Sequence, residues 1–487
     1  MHKSAYVVGI DIGTTAIKGA LFDPLGGCLR QKRIPYPTVR RSRTEIEQDP
    51  DDWLKATEQI LEEVVNPVSL EEIGGICICG QTNTHAFVDA VGRPLFPAIT
   101  WQDTRCEPQA RRLDRQLADS HRRASWGVEA HIAASHTVSR MAWMSECHPE
   151  IWEQVACVLS PKDYVLLHLT GQQVSDALSC FDLVDLAGEY IAELVALVPG
   201  GSHRLPPLRE FTAAAGTYGR GALKKTRVPV MTGTMDGWAS MFGTGVVAAG
   251  EGAYLSGTSE IITLASDRRV NVPGVVSFLP MHGLQVHAGP TQSGGDSLRW
   301  FADVVSRPIE EVLGMAASVE RTQAKVLFLP HLQGERAPLW DSDSRGAFLG
   351  LTAKTDAADL ALGVLEGVAL SAKLLFDEAA RAAARDYRWL YMAGGGSQSD
   401  LWCQIRADVF GIELRRVAFQ DAGVMGAAII ATVGAELHPS LQEAARNMTR
   451  VDRIFTPDEL YANRYAEALR LYKAAYQNLR AINQHLR

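Results

Sequence analysis

Short apolar runs alternate with glycine-rich polar turns at the start of the chain. Residues 6–10 and 17–22 read as two strands joined by a tight Gly/Thr turn, which predicts an antiparallel meander. A helix is predicted from Pro50, with Asp49 as its N-cap, because the apolar positions that follow recur at helical spacing. A buried strand follows over 75–79, and continued alternation of strands and helices predicts an α/β fold.

The second half of the chain repeats this plan. Residues 252–256 and 261–264 read as strands around a second Gly/Thr turn, about 245 residues after the first. A buried strand over 389–393 then ends in three glycines. The repetition predicts two related domains, and the run of Gly and Ala near residue 246 predicts their boundary, giving domains 1–246 and 247–487.

Composition restricts the class of protein. The chain has 487 residues, 46% of them hydrophobic and 21% charged, which is typical of globular domains. A net charge of -8 argues against a nucleic-acid partner or an anionic membrane. The longest apolar helix candidate, 360–376, contains Glu366 and Lys373 and is shorter than the roughly 20 residues of a membrane span. With eight sparse cysteines and no signal segment, these features predict a cytoplasmic protein without a membrane partner.

The first turn carries the residues of a phosphate site. Asp11 ends a strand, Gly13 permits close backbone approach, Thr14 and Thr15 supply amides and hydroxyls, and Lys18 follows. Such a turn can surround phosphate oxygens with N–H donors, and Asp11 could hold Mg²⁺ through water. The alternative is an ordinary β-turn with an exposed carboxylate.

A second carboxylate, Asp236, lies between small residues after an apolar run over 228–231. In that position it could accept the proton of a substrate hydroxyl, since hydroxyls are poor nucleophiles at neutral pH. The residues alone leave open a second interpretation, in which Asp236 only caps the helix that begins near Trp238.

Two turns in the second half fit a nucleotide. Gly257 and Thr258 lie in a Ser/Gly turn that could hold an anion, although such a turn is common in proteins without one. Gly394 to Gly396 leave a flat surface for an adenine or ribose where a strand meets a helix capped by Ser399, but a plain tight turn has the same pattern.

Two polar blocks after apolar runs are equipped to bind a sugar. One contains Gln81 and Asn83, and the other contains Trp101 and Asp103. Together they supply a stacking surface and hydrogen-bonding groups. His85, next to the first block, is interpreted as a structural histidine.

These blocks, taken in order, resemble the FGGY carbohydrate kinases over nearly the whole chain. The blocks that carry the resemblance are Gly9–Thr15, Glu47–Pro50 with Trp53, Gly80–Gln81, Trp101–Arg105, Leu159–Tyr164 with Leu169–Gly171, Gly233–Gly237, Ser256–Thr258, Gly294–Gly295 with Trp300, Gly334–Pro338, Arg345–Gly346 with Gly350, Glu366–Gly367 and Gly394–Gly396. The resemblance implies two ribonuclease-H-like domains of the actin/hexokinase type flanking a central cleft. It also implies transfer of the γ-phosphate of ATP to a sugar hydroxyl, and it allows a homodimer.

The resemblance also implies the roles of individual residues. Asp236 is the expected catalytic base and, with Asp11, a carboxylate of the Mg²⁺ site. The expected ATP contacts are Gly13, Thr14, Thr15, Lys18, Gly257, Thr258, Gly295, Arg299, Gly395 and Ser399. The expected sugar contacts are Gln81, Thr82, Asn83, Trp101, Asp103 and Asp236. The N-terminal domain would then bind the sugar and carry the base, and the C-terminal domain would bind the nucleotide.

Three departures from the family pattern stand out, and the first two, at 82–83 and at 237, fall where the substrate is expected to bind. Xylulokinases typically have Met-His where this chain has Thr82 and Asn83, and Asn where it has Gly237; gluconokinase-like members often have Gly there. Arg140 replaces a usual lysine. The favoured function is phosphorylation of a pentulose such as D-xylulose. The alternatives are a gluconokinase or related polyol kinase, and, from another class, a non-catalytic sugar sensor or an actin-like ATPase switch.

Overall fold

The computed structural model describes residues 6–117, 126, 131–219, 223, 227–281, 283–323 and 326–486. The strands are β1 (Tyr6–Ile12), β2 (Ala16–Phe22), β3 (Cys28–Pro35), β4 (Val39–Arg40), β5 (Ile46–Gln48), β6 (Ile73–Gly80), β7 (Ala86–Val88), β8 (Ala98–Ile99), β9 (Cys157–Leu159), β10 (Ala214–Tyr218), β11 (Val228–Met231), β12 (Gly252–Ser256), β13 (Glu260–Ser266), β14 (Val276–Ser277), β15 (Gln285–Pro290), β16 (Leu327–Leu329), β17 (Ala347–Leu349), β18 (Trp389–Ala393), β19 (Glu413–Val417) and β20 (Val451–Phe455). The helices are α1 (Pro50–Val64), α2 (Glu107–Gln116), α3 (Thr137–Cys147), α4 (Pro149–Trp152), α5 (Pro161–Thr170), α6 (Ala192–Val195), α7 (Asp236–Gly243), α8 (Gly295–Val304), α9 (Ile309–Ala317), α10 (Ala357–Ala383), α11 (Asp400–Phe410), α12 (Ala422–Gly434), α13 (Leu441–Met448) and α14 (Ala462–Asn483).

The chain forms two compact units. The first unit comprises residues 1–245 and 421–449, and the second comprises 246–420 and 450–487. The sequence prediction placed the boundary at 246, one residue from the first change of unit, but it left 421–449 in the second domain. In the structure α12 and α13, which lie in this segment, belong to the first unit.

Small residues explain why α12 belongs to the first unit. Its sequence is apolar almost all round, and nearly all of it is buried. A Cβ on Gly9 of β1 would lie 2.2 Å from the carbonyl oxygen of Val424, and a Cβ on Gly426 would lie 1.7 Å from that of Ala239. Such close backbone approach requires glycine. The helix therefore packs on the face of the first unit's sheet that is opposite α1.

The sheet of the first unit has the order β10-β11-β6-β1-β2-β3. The strands β1, β2 and β3 form the predicted antiparallel meander, whereas β6 is parallel to β1 and β11 is parallel to β6. Apolar residues of α1, among them Trp53 and Ile60, are buried against this sheet. Asp49 caps α1 by accepting from the Asp51 N–H, as the sequence predicts.

The sheet of the second unit repeats that arrangement. Its order is β14-β15-β13-β12-β18-β19-β20. The strands β12, β13 and β15 are antiparallel, and β18 and β19 add in parallel beside β12. Numbering the shared strands by chain order gives 3-2-1-4-5 in both units, which is the ribonuclease-H-like topology. The prediction of two related α/β domains is confirmed.

Two further features bear on the predicted class of protein. All eight cysteines are free thiols, and Cys77 and Cys79 are buried on β6. Among the described helices, none combines the length and the apolar run that crossing a membrane requires.

Candidate active site

The turn between β1 and β2 is held from behind by two side chains. The Tyr36 hydroxyl donates to the carbonyl oxygen of Gly13, and Gln48 Nε2 donates to that of Thr14 at 2.8 Å. Within the described residues, the backbone N–H groups of Thr14 and Thr15 donate to no protein acceptor. The turn therefore keeps its carbonyls occupied and its amides available, which is the arrangement an anion site needs.

Asp236 is the first residue of α7, and a loop that requires glycine at position 233 leads to it. Gly233, before it, has φ +70°, and a Cβ on this glycine would lie 2.0 Å from the carbonyl oxygen of Ile78. Asp236 Oδ1 accepts from Thr82 Oγ1 at 3.1 Å and from the Gly237 N–H at 2.8 Å. The N-cap position of α7 is Met235, and the Asp236 carboxylate satisfies one N–H group of the first turn while it also accepts from Thr82, so capping alone does not account for its contacts.

A buried ion cluster fixes the same loop from its other side. Lys162 pairs with Asp163 and, at 3.0 Å, with Asp176, and it also donates to the carbonyl oxygen of Thr232 at 3.3 Å. Thr234 Oγ1 donates to Asp176 Oδ2 at 2.8 Å. Because these groups are buried and paired, the backbone leading to Asp236 has little freedom to move.

Two carboxylates of the first unit interact electrostatically. Burial raises the pKa of Asp236 to about 7, and the negative charge of Asp11 adds to this. Burial also raises the pKa of Asp11 to about 6, against the opposing effect of Lys18 and of a hydrogen bond from Cys79. Cys79 Sγ lies 3.5 Å from Asp11 Oδ1, and burial keeps the pKa of this thiol high, so it remains a donor.

The donor set around these carboxylates fits magnesium. Among the described residues there is no cluster of three or more His, Cys, Asp or Glu side chains that could hold a metal. Mg²⁺ does not require one, because it usually keeps several waters and binds one or two carboxylates together with substrate phosphates. Asp11 and Asp236 offer carboxylate oxygens as ligands. Burial disfavours the ionised form of both side chains, and a bound divalent cation would stabilise that form.

Two of the predicted sugar contacts, Trp101 and Gln81, lie beside the turn between β1 and β2. Trp101 Nε1 donates to Thr14 Oγ1 at 3.0 Å, so the sugar block touches the phosphate turn. Gln81 is buried, and its Nε2 donates to Gln48 Oε1 at 2.8 Å. Asn83, beside Thr82, has φ +57°, a left-handed conformation that Asn tolerates better than most residues.

Asp103 lies in a different environment from the one expected of a sugar contact. It is fully buried, and its carboxylate accepts from the Ile46 N–H at 2.6 Å, from Arg105 and from Arg140. With both oxygens occupied in this way, the geometry favours a role in holding the Trp101 loop rather than direct contact with substrate. His85 is also structural, because it is buried and bonded to Thr137, and burial lowers its pKa to about 3.

Lys18 is paired within the first unit. It lies opposite Asp11 in the β1–β2 register, and its ammonium group binds Asp421, the residue before α12. Both side chains of this ion pair are more than a third exposed. Lys18 therefore offsets part of the negative charge at Asp11 while being anchored by the segment that returns from late in the chain.

In the second unit the two predicted nucleotide turns meet the start of α8, which carries Gly295. The Gly295 N–H, at the start of α8, donates to the carbonyl oxygen of Gly257 at 2.9 Å, and the Asp296 N–H donates to that of Thr258 at 3.3 Å. Gly394 approaches the same turn from β18, since a Cβ on it would lie 2.4 Å from the carbonyl oxygen of Ser256. Gly257 and Thr258 remain exposed at the point where these turns converge.

The remaining predicted nucleotide residues occupy the rim of these turns. Gly395 is exposed, and a Cβ on it would meet no atom within 4 Å. Arg299 is exposed on α8. Ser399 caps α11 through its hydroxyl, which accepts from the Trp402 N–H at 3.3 Å, as the sequence predicts. The surface beside Gly395 is thus open, whereas the Ser399 hydroxyl already has a structural partner.

Several residues that shape these sites had no assigned role in the sequence prediction. Gln48 lies in the Glu47–Pro50 block, but the sequence prediction gave its side chain no function. Tyr36, Cys79 and Asp421 carry no local signal, because each acts through a partner that is distant along the chain. A strict β1–β2 pairing would have placed Lys18 opposite Asp11, and that was the one clue to a charge beside the carboxylates.

The repeated sheet order and the carboxylates beside glycine-rich turns define a two-domain α/β phosphotransferase of the actin/hexokinase type. The sequence model described as "FGGY family of carbohydrate kinases, N-terminal domain" matches residues 6–243, and that of the C-terminal domain matches 252–435. The chain belongs to the FGGY family of carbohydrate kinases, enzymes that phosphorylate sugars with ATP.

Individual relatives agree with this family. A xylulose kinase of Lactococcus lactis is 28% identical over 99% of this chain and 98% of its own length. A gluconokinase of Bacillus subtilis is 26% identical over 88% of this chain and 87% of its own length. The crystal structure of a "xyloylose kinase" from Brucella ovis superposes with a TM-score of 0.87 at 28% identity and covers 98% of this chain and 100% of that one.

Proposed function

We propose that this carbohydrate kinase transfers the γ-phosphoryl group of ATP to a hydroxyl of a pentulose such as D-xylulose, in a reaction that requires Mg²⁺. The observation that carries the proposal is Asp236, a carboxylate fixed by Thr82 and placed near Asp11 within the first unit. The full-length similarity to a xylulose kinase supports the choice of substrate.

The residues have separate tasks in this proposal. Asp236 accepts the proton of the sugar hydroxyl as the hydroxyl attacks phosphorus. Thr82, Asn83, Gln81 and Trp101 orient the sugar, while Asp103 holds the Trp101 loop. When bound, Mg²⁺ would be held by Asp11 and Asp236 and would offset the negative charge of the phosphates.

The nucleotide contacts are proposed for each unit. In the first unit, the free amides of Thr14 and Thr15 beside Gly13 would bind phosphate oxygens, with Lys18 as the nearby cation. In the second unit, the exposed turn of Gly257 and Thr258 would also bind phosphate oxygens, through Thr258, because the Gly257 N–H already donates to the carbonyl oxygen of Ser259. The nucleotide would lie on the surface formed by Gly295, Arg299, Gly395 and Ser399, so the first unit carries the sugar and base, and the second the nucleotide.

A gluconokinase is the second candidate, and one observation favours it. Gly237 follows the base, as is often seen in gluconokinase-like members, and a Bacillus subtilis gluconokinase is 26% identical. The deciding experiment measures ADP release with D-xylulose, D-gluconate, L-ribulose, glycerol and erythritol. The highest kcat/KM with D-xylulose supports the proposal. The highest value with D-gluconate supports the second candidate, and ATP hydrolysis that no sugar stimulates would contradict both.

The pH dependence of kcat/KM gives a second test. Asp236 acts as a base only when ionised, and its pKa is about 7. At lower pH it becomes protonated, so kcat/KM is expected to fall about tenfold for each pH unit below that value. Thr82→Val removes a hydrogen bond that favours the ionised form, so it should move this fall to higher pH. A pH–rate profile from pH 5 to 9 measures both effects.

Thr82→Ser is the matched control for this experiment. It keeps the hydroxyl that donates to Asp236 Oδ1 and should leave the position of the acid limb unchanged. An identical profile for wild type and Thr82→Val would show that this hydrogen bond does not stabilise the base.

A further inference from the structure

Arg406, on α11, lies beneath two of the turns in the second unit. Its side chain is fully buried. Nη1 donates to the carbonyl oxygen of Gly396 at 2.8 Å, and Nη2 donates to Ser256 Oγ at 2.7 Å and to Glu260 Oε1 at 3.0 Å. One guanidinium group therefore joins the turn that follows β12 to the turn that follows β18.

The surroundings of this guanidinium hold it in one orientation. It stacks over the Trp402 ring, with Cζ 3.9 Å from the ring centroid, and it lies 5.3 Å from that of Tyr254. Ser256 also donates to Glu260 Oε1 at 3.0 Å, so serine, glutamate and arginine form a closed set of bonds. A planar fork held between ring faces has far less freedom than a lysine ammonium group would have.

The two joined turns are in direct contact, so a shift of one must displace the other. A Cβ on Gly396 would lie 2.1 Å from Ser256 Oγ, and a Cβ on Gly394 would lie 2.4 Å from the carbonyl oxygen of Ser256. The Gly295 N–H then ties the start of α8 to Gly257, the residue after Ser256. A shift of Ser256 would therefore displace the turn at 394–396, the turn that follows β12 and the start of α8.

We propose that Arg406 is a positioning residue for ATP, fixing the turn at 256–260 against that at 394–396 so that both present their backbone to the nucleotide. This inference rests on the proposed function, in which the second unit binds ATP. A buried arginine–glutamate pair is by itself weak evidence for stability. Its placement between two glycine turns points instead to geometry, because each of its three hydrogen bonds ends on one of those turns or on Glu260 beside them.

The test compares steady-state constants of Arg406→Met and Arg406→Lys with those of wild type. In Arg406→Met, kcat/KM for ATP should fall about 10²-fold, through KM for ATP, since a displacement near 1 Å costs that much. KM for the sugar should not change, because its predicted contacts lie in the first unit. Arg406→Lys keeps the charge opposite Glu260 but loses the fork, and should recover part of the loss.

Arg321→Met is the matched control. Arg321 also pairs with a carboxylate of α11, that of Asp408, and it stacks 4.2 Å from the centroid of Tyr461. None of its contacts among the described residues reaches the two turns, so this variant should lose stability and keep its KM for ATP. If Arg406→Met does not fold, Ser256→Ala, which removes one acceptor of Arg406, should raise KM for ATP without raising KM for the sugar.

The outcomes separate the two levels of inference. An unchanged KM for ATP in folded Arg406→Met or in Ser256→Ala, or an equal rise in Arg321→Met, would overturn the positioning role alone. A wild-type protein that neither binds ATP in calorimetry nor releases ADP would overturn the proposed function together with this inference.

Discussion

Replacing Asp236 by Asn is expected to lower kcat by roughly 10²–10⁴-fold, the usual contribution of a general base. The amide has nearly the shape of the carboxylate, so Thr82 and Gly237 keep neighbours of similar size. Removing one of two nearby negative charges also relieves the repulsion from Asp11, and the variant should remain folded. Single-turnover phosphoryl transfer and sugar binding by calorimetry would show slow chemistry with binding retained.

Asp89→Asn controls for the loss of one carboxylate in the same unit. Asp89 organises a tight turn by accepting from the backbone N–H groups of Val91 and Arg93, away from the residues assigned to catalysis. Its kcat should stay close to that of the wild type. Near-normal turnover in Asp236→Asn would remove the base from the mechanism, and loss of sugar binding without loss of kcat at saturation would make Asp236 a binding residue only.

Local signals explain why so much of both units could be predicted. Short apolar runs that end in glycine-rich turns identified β1, β2, β12 and β18, because a strand covered on both faces is apolar along most of its length. Asp11 and Asp236 stood out since each lies where an apolar run ends in small residues. The repeated strand–turn–strand pattern gave two related domains for the same reason, as each pattern is complete within a short segment.

Features that depend on distant partners could not be predicted in the same way. The apolar pattern of α12 predicts a buried helix, but not that it packs against β1, more than 400 residues earlier, where Gly9 admits it. Asp103 was predicted to contact the sugar because it lies in a polar block with Trp101. Only the three-dimensional structure shows that Arg140 lies beside it and binds its carboxylate. Arg406 lies in no motif, and its importance comes from the turns above it.

Replacing Arg140 by Met is expected to lower the free energy of unfolding by about 3–5 kcal/mol, because it removes one of the two arginines paired with the buried Asp103 carboxylate and leaves two carbonyl groups of the same loop without the hydrogen bonds that Arg140 donates. The side chains of Arg140 and Asp103 are fully buried, and Arg140 Nη1 lies 3.1 Å from Asp103 Oδ1. Nη2 also donates to the carbonyl oxygens of Thr100 and Asp103 at 2.8 Å, on both sides of Trp101. The loop that carries this tryptophan would lose its support, so KM for the sugar should rise as stability falls.

Arg112→Met supplies the comparison, because Arg112 of α2 forms an ion pair with Glu146 of α3, the helix that also carries Arg140, but at the surface. Exposed pairs contribute about 0–1 kcal/mol, so this variant should melt almost like the wild type. Arg140→Lys should fall between them, since an ammonium group keeps the charge but cannot span Asp103 and both carbonyl groups as a planar fork does. The free energy of unfolding from urea titration, together with the melting temperature from calorimetry, ranks the three variants. Equal losses in Arg140→Met and Arg112→Met would mean that burial does not make the Asp103 pair any more important than a surface one.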